Sequence, residues 1–259
     1  MGVVMMRNLL GIVGVSGLLI AAPLSVAFAA DMPLKAPPAP APVASWTGCY
    51  VSAGWGYGML DDERSGSDPT RAGSTSAGKG WLGAFGGGCD YQLNNTPLGP
   101  IVIGAFADYD PMDITGNYED VFGDTHHGTQ TERDAWYAGV RAGVLVTPKL
   151  LAYVSGGWTG ANIDKINILH TDGTPVDGGL FLPSEDLTGW FIGGGTEYAF
   201  TWLPINGLFW KTEYRFASYD SYDQHYVHPT FIGSSIVHND VDVQTITTSL
   251  VWHFNWPGH

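Results

Sequence analysis

After its first thirty residues the chain has no apolar run near the roughly 20 residues that a membrane-spanning helix requires. That excludes helical spans from this part but leaves strand-built ones open, because each transmembrane strand leaves a far weaker trace. Positive charge is also scarce. Only 11 of the 259 residues are Lys or Arg, against 25 Asp and Glu. The basic footprint of a nucleic-acid binder is missing, so no nucleic acid is expected as a partner. Catalytic signatures are absent too, with no G-x-S-x-G elbow and no H-E-x-x-H pair. The glycine runs at Gly83–Gly88 and Gly193–Gly195 lack the following helix and the Lys-Ser/Thr of a phosphate loop. They suit strands that pack closely and bend. No catalytic, cofactor-binding or metal residues are assigned, and no cofactor is expected.

What the chain does have is glycine and aromatic rings: 36 Gly, 10 Trp, 12 Tyr and 11 Phe. It is too aromatic to be disordered and too rich in glycine to be mainly helical, so it reads as a β protein. The N-terminus carries Arg7, an apolar run from Leu9 to Ala22, and small residues at Ala27-Phe28-Ala29-Ala30. This is the layout of a cleaved secretory signal peptide, assigned to residues 1–29. Five prolines between Asp31 and Ala44 then give an extended spacer over residues 30–45. One domain fills residues 46–259. Loss of Arg7 makes the exported chain slightly more acidic, a weak pointer to solvent or divalent cations at its surface.

Eight segments show apolar residues at every second position, the strand period. They lie near Thr47–Tyr57, Lys79–Leu93, Ile101–Asp110, Arg133–Val146, Leu150–Thr159, Thr188–Phe200, Leu208–Ser218 and Asp242–Phe254. In the seventh, Leu208, Trp210, Thr212, Tyr214 and Phe216 share one face, while Lys211, Glu213 and Arg215 share the other. The links alternate in length. Asn94–Pro100, Thr147–Lys149 and Thr201–Gly207 are short; Gly58–Gly78, Pro111–Glu132, Gly160–Leu187 and Tyr219–Val241 are long. All long links therefore leave one end of the sheet. This predicts an all-β fold, an eight-stranded antiparallel up-and-down transmembrane β-barrel with short periplasmic turns and four long external loops. An even strand count returns the C-terminus to the periplasmic side, where the spacer begins.

Aromatic residues gather near strand ends: Trp46, Tyr57, Trp81, Tyr91, Trp158, Trp190, Tyr198, Phe200, Trp252 and Phe254. Such girdles are expected at the two lipid–water interfaces. A soluble, lipocalin-like barrel would carry the same alternation with its faces reversed. Two features favour the membrane reading. The polar faces are rich in Gly and Ser, which suits a cramped lumen, and a water-facing sheet would carry many more Lys and Glu. On this parity Ile246 faces lipid, where Arg would cost about 2–4 kcal/mol near the midplane.

The start AADMPLKAPPAPAPVASWTGCYVSAGWGYG closely resembles that of alphaproteobacterial small outer-membrane proteins, the immunogenic surface antigens of the porin family. GWFIGGGTEYAF at Gly189–Phe200 and WKTEYRFASYD at Trp210–Asp220 are similar to its sixth and seventh strands. The resemblance covers nearly the whole mature chain. It implies an integral protein of the Gram-negative outer membrane, in contact with outer-membrane lipids and lipopolysaccharide and inserted by the barrel-assembly machinery. Two departures stand out. The family usually ends on an aromatic residue, but here Phe254 is followed by Asn255-Trp256-Pro257-Gly258-His259, and Cys49 stands where Phe is more usual.

Cys49 and Cys89 are the only cysteines. An exported context permits a disulfide between them, and direct pairing would set the register of the first two strands so that partners sum to 138. Seven ionisable residues face the lumen: Asp108, Asp110, Arg141, Glu197, Lys211, Glu213 and Arg215. They read either as a selective constriction or as a plug of ion pairs, and the small bore of eight strands favours the plug. Six histidines fall in the predicted loops (His126, His127, His170, His225, His228 and His238), with Asp124 and Asp240 near them, but their spacing matches no ligand motif. Ser249 and His253 share one face of the last strand; they are the only candidates for a lipid-modifying enzyme, and both should point away from lipid. The function expected is a structural, surface-exposed barrel. A narrow porin is the alternative, a lipid-modifying enzyme a weaker one, and a homo-oligomer is left open.

Overall fold

The computed structural model describes residues 46–66, 73–119, 126–176, 179–203, 205–227 and 236–254. The signal-peptide and spacer assignments, Asp124, His228 and the Asn255–His259 extension lie outside these residues. No helix occurs among the described residues. Eight antiparallel strands form a closed ring: β1 (Gly48–Gly66), β2 (Ser74–Leu93), β3 (Ile101–Glu119), β4 (His126–Thr147), β5 (Leu150–Ile163), β6 (Glu185–Ala199), β7 (Leu208–Tyr219) and β8 (Ile236–Phe254). Each pairs with its sequence neighbours, and β1 pairs with β8 to close the barrel. Closure leaves no open edge in the ring, which is the one way a sheet can satisfy its backbone in lipid.

The short turns 94–100, 148–149 and 200–207 share one end. The wider connections share the other, called here the long-loop end. Those connections are shorter than the sequence suggests. Strand β1 runs on from Tyr57 to Gly66, β3 from Asp110 to Glu119, and β8 begins at Ile236 rather than Asp242. Much of the predicted loop is therefore ladder. The third connection adds a small ladder of Ile166–Asn167 with Phe181–Leu182, and in the fourth Tyr222–His225 pairs with β8.

The reason lies in a reversal of sidedness along each strand. Near the short turns the outer face is apolar and aromatic. On β8, Ile246, Leu250, Trp252 and Phe254 point outward and Thr245, Thr247, Ser249 and His253 inward. Beyond Gln244 the pattern inverts: Val237, Val241 and Val243 are buried, and Asp240 and His238 are exposed. Strand β1 changes between Met59 and Asp61, with Leu60 inside; β3 changes between Pro111 and Asp113, with Met112 and Ile114 inside. An outer ring of Tyr57, Trp81, Tyr109, Trp136, Trp158 and Trp190 marks the boundary. The lower part thus carries the sidedness of a barrel in lipid, and the upper part that of a barrel in water. The apolar band spans about 9–11 residues per strand, as a membrane strand requires. A lipocalin-like reading fits the upper part only.

Two local features accompany the change. Register shifts occur on β4 between Glu132 and Asp134, and on its partner β3 between Pro111 and Ile114. Across the first, the buried set on β4 switches from Gln130 and Glu132 to Ala135 and Tyr137, as an inserted residue demands. Pro111 sits on the outer face beside this irregularity, where its missing N–H is tolerated.

Candidate functional site: the lumen

The lumen is packed with side chains in layers. Nearest the short turns, Trp46, Tyr50, Val102, Leu151, Phe209 and Val251 form an apolar floor. Trp46 belongs here and not in the lipid girdle. It is fully buried, 4.8 Å from the Phe209 ring and 6.1 Å from the His253 ring. Residues before β1 have no ladder to hold them outside, and burial of a large ring under the barrel is strongly favourable.

Above the floor lie the charges, and all seven predicted luminal residues are buried. They form two groups. In the lower, Arg141 donates from Nε to Asp90 Oδ1 at 2.9 Å and from Nη1 to Glu197 Oε2 at 2.9 Å, with Nη2 on Asp90 Oδ2. His253 Nε2 lies 2.7 Å from the other Glu197 oxygen. In the upper, Arg215 Nη2 reaches Glu213 at 2.8 Å and Asp108, its Nη1 is 3.8 Å from Asp110, and Lys211 is 3.6 Å from Glu213. Aromatic faces complete the packing. The Arg141 guanidinium stands 4.5 Å from the Tyr50 ring centre, and that of Arg215 4.7 Å from Tyr137. Planar guanidinium suits both the forked carboxylate bonds and the ring contacts.

Glycine makes the room these charges need. A Cβ at Gly86 would overlap the Asp108 carboxylate, and one at Gly104 would overlap that of Asp90. Each carboxylate lies across the bare backbone of a residue directly opposite it, since Gly86 pairs with Asp108 and Asp90 with Gly104. The glycine runs therefore serve packing in the lumen.

Asp90 is the partner that sequence reasoning missed. Its neighbours Cys89 and Tyr91 face outward, so the β2 parity carried the signal. A third polar group was also missed, because it lies in what read as loop. Arg64 Nε donates to Asn239 at 3.1 Å; its other nitrogens reach Ser76, Asp62 and Gln130, and its guanidinium lies 4.2 Å from the Tyr118 ring. Between this group and the two charge groups below it stands a mostly apolar layer of Leu60, Leu82, Met112, Ile114, Ile163 and Val243, with buried Glu132 opposite Ile114 and Ile163. A second apolar cluster of Tyr118, Ile166, Ile168, Val176, Leu182, Tyr226 and Val237 caps the long-loop end. Within it the Tyr118 and Tyr226 hydroxyls are hydrogen-bonded at 2.6 Å.

The remaining candidates separate clearly. Cys49 and Cys89 are directly opposite on β1 and β2 and joined by a disulfide, with Val51 opposite Gly87 and Tyr57 opposite Trp81. Ser249 and His253 are both buried in the lumen. Four residues of one strand separate them, about 13 Å, so they form no nucleophile–base pair. Among the described residues no group of three or more His, Cys, Asp or Glu is arranged to hold a metal.

No curated protein matches the chain. A family model described as outer membrane protein beta-barrel domain matches residues 20–254. Among solved structures the chain is similar to the outer membrane protein OprG from Pseudomonas aeruginosa at 12% identity and a TM-score of 0.44, covering 82% of this chain and 99% of that one. It is similar to Ail, the attachment invasion locus protein of Yersinia pestis, at 12% identity and a TM-score of 0.36, covering 80% and 99%. The outer membrane protease OmpT from Escherichia coli gives 9% identity and a TM-score of 0.38, covering 80% and 97%. At these values none of the three carries an argument about function.

Proposed function

The chain belongs to the outer membrane protein β-barrel domain family, and on that premise we propose that it is a closed, structural barrel of the Gram-negative outer membrane that displays its long-loop end at the cell surface. The observation that carries this reading is the burial of the luminal charges. A water-filled pore would leave its lining wet, whereas Arg141, Glu197, Glu213 and Arg215 are each no more than 4% exposed. Outer-membrane lipids and lipopolysaccharide are its surroundings, and the barrel-assembly machinery inserts it with the N-terminal spacer and C-terminus on the periplasmic side. A surface-antigen role follows from display of the loops. The lipid-modifying alternative gains no support from Ser249 and His253, which stand about 13 Å apart along β8.

Planar-bilayer recording of the folded, purified protein tests this. Silence from a barrel that migrates differently before and after heating is the expected result. Discrete, reproducible conductance steps would replace the closed barrel with a narrow porin, and the luminal charges would become its selectivity residues.

A further inference from the structure

At the long-loop end two histidines distant in sequence are brought face to face. His126 opens β4, and His170 belongs to the connection between β5 and β6. A short antiparallel ladder sets His126 directly opposite His170, and His127 opposite Leu169. Both imidazoles are half-buried, with ring centres 5.3 Å apart and planes tilted by 44°. An ion held tetrahedrally by two imidazole nitrogens at ordinary bond lengths keeps the ring centres roughly 5 Å apart.

The backbone presenting His170 is fixed by its own turn. The His170 N–H donates to the Thr174 carbonyl and the Gly173 N–H to the His170 carbonyl, both at 2.8 Å. Gly173 supplies the left-handed φ of +82° that closes the turn. The Thr174 hydroxyl and N–H donate to the Asp172 carboxylate at 2.6 and 2.9 Å, which stiffens the tip. The site is therefore pre-organised from both sides, by a barrel strand and by a tied hairpin. The acidic chain around it raises the local concentration of cations.

We propose that His126 and His170 form a cross-strand clamp for a divalent transition-metal ion of the imidazole-preferring class, such as zinc or copper(II), with water completing the coordination shell. The clamp joins the start of β4 to the β5–β6 connection, so metal binding would cross-link two of the surface segments. Sequence spacing hides such a site, because its ligands are 44 residues apart and meet only through the ladder.

The test is a calorimetric titration of zinc ion into the full mature chain, folded in detergent micelles and free of tag histidines. One zinc per chain is expected. His126→Ala and His170→Ala should each lower the affinity by at least the roughly tenfold that even an outer-shell partner contributes. The double variant should fall little further, because the ligands act as a unit. His238→Ala, which removes a histidine paired with Asp223, should change nothing. Heat-shifted migration on gels shows that each variant is folded, and His170→Gln stands in should His126→Ala fail that check. Absence of zinc uptake by the native chain, equal affinity in the single variants, or a loss as large in His238→Ala would each overturn the proposal.

Discussion

The reversal of sidedness along β8 allows a depth series on one strand. Leu250, Ile246 and Asp242 are outward positions spaced four residues apart along it. The apolar stretch runs from Ile246 to Phe254, so Leu250 lies at its centre, level on the neighbouring strands with Ala53 and Trp210. Four residues up the strand is about 13 Å of path, or about 10 Å of height at the usual tilt of about 40°. The apolar band of such barrels is about 25 Å tall, so Ile246 stands near its upper edge. Its partners agree, because Tyr57 and Tyr214 are the rings directly opposite it. Leu250→Arg should therefore cost about 2–4 kcal/mol of folding free energy, and Ile246→Arg about 0–1 kcal/mol. The sequence expectation placed the large penalty at Ile246; the boundary at Gln244 moves it to Leu250. Asp242→Arg, beyond the band, should cost nothing measurable. Reversible urea unfolding in lipid vesicles, extrapolated linearly to zero denaturant, gives the three values. Equal costs at positions 242 and 250, or the largest at 242, would refute the assigned band and the inversion with it.

Two further outcomes follow from the lumen and the wall. Arg215→Met leaves Asp108, Asp110 and Glu213 buried around a neutral side chain, and should destabilise the barrel by about 3–5 kcal/mol in the same vesicle assay, whereas a loss below about 1 kcal/mol would show these charges to be solvated. Cys49→Ser with Cys89→Ser opens a closed loop with a sequence separation of 40, and should cost about 3–4 kcal/mol on the chain-entropy account, measured against the oxidised parent.

The parts of the molecule legible in the sequence were those where one rule held over many residues. Alternation placed all eight strands, because lipid outside and a crowded polar lumen inside impose opposite chemistry on successive residues. It also gave the inward set from Asp108 to Arg215 and the β1–β2 register around the two cysteines. The same rule hid the upper strands. From Leu60, Met112 and Val243 onward the apolar residues change sides, so a search for a continuing lipid face stops at the boundary and records loop. Asp62, Arg64, Gln130 and Asn239 were lost for that reason, although their own alternation is regular. On β4 the inserted residue near Asp134 broke the parity count as well. Trp46 was misplaced by a different cause: it precedes the first strand, so periodicity said nothing of it. The His126–His170 pair lay beyond any local rule, since only the fold sets the start of β4 beside the β5–β6 connection.

The two interior chemistries bear differently on closure. Arg141 ties β2, β4 and β6 together, and Arg215 ties β3 to β7, so both guanidinium groups brace the lumen across its width. Yet charges can be rewetted. Water entering this layer would solvate the carboxylates and guanidinium groups it separated, recovering much of what the broken pairs lose. The apolar layer above offers little such return. Leu60, Ile114 and Val243 are almost wholly buried and offer water few partners, although Glu132 stands among them, opposite Ile114 and Ile163. The ion pairs therefore fix the strands and fill the cross-section of the membrane part, and the side chains packed above them narrow the upper barrel further. In the closed barrel proposed above, the charges that resemble a selectivity filter would serve as bracing.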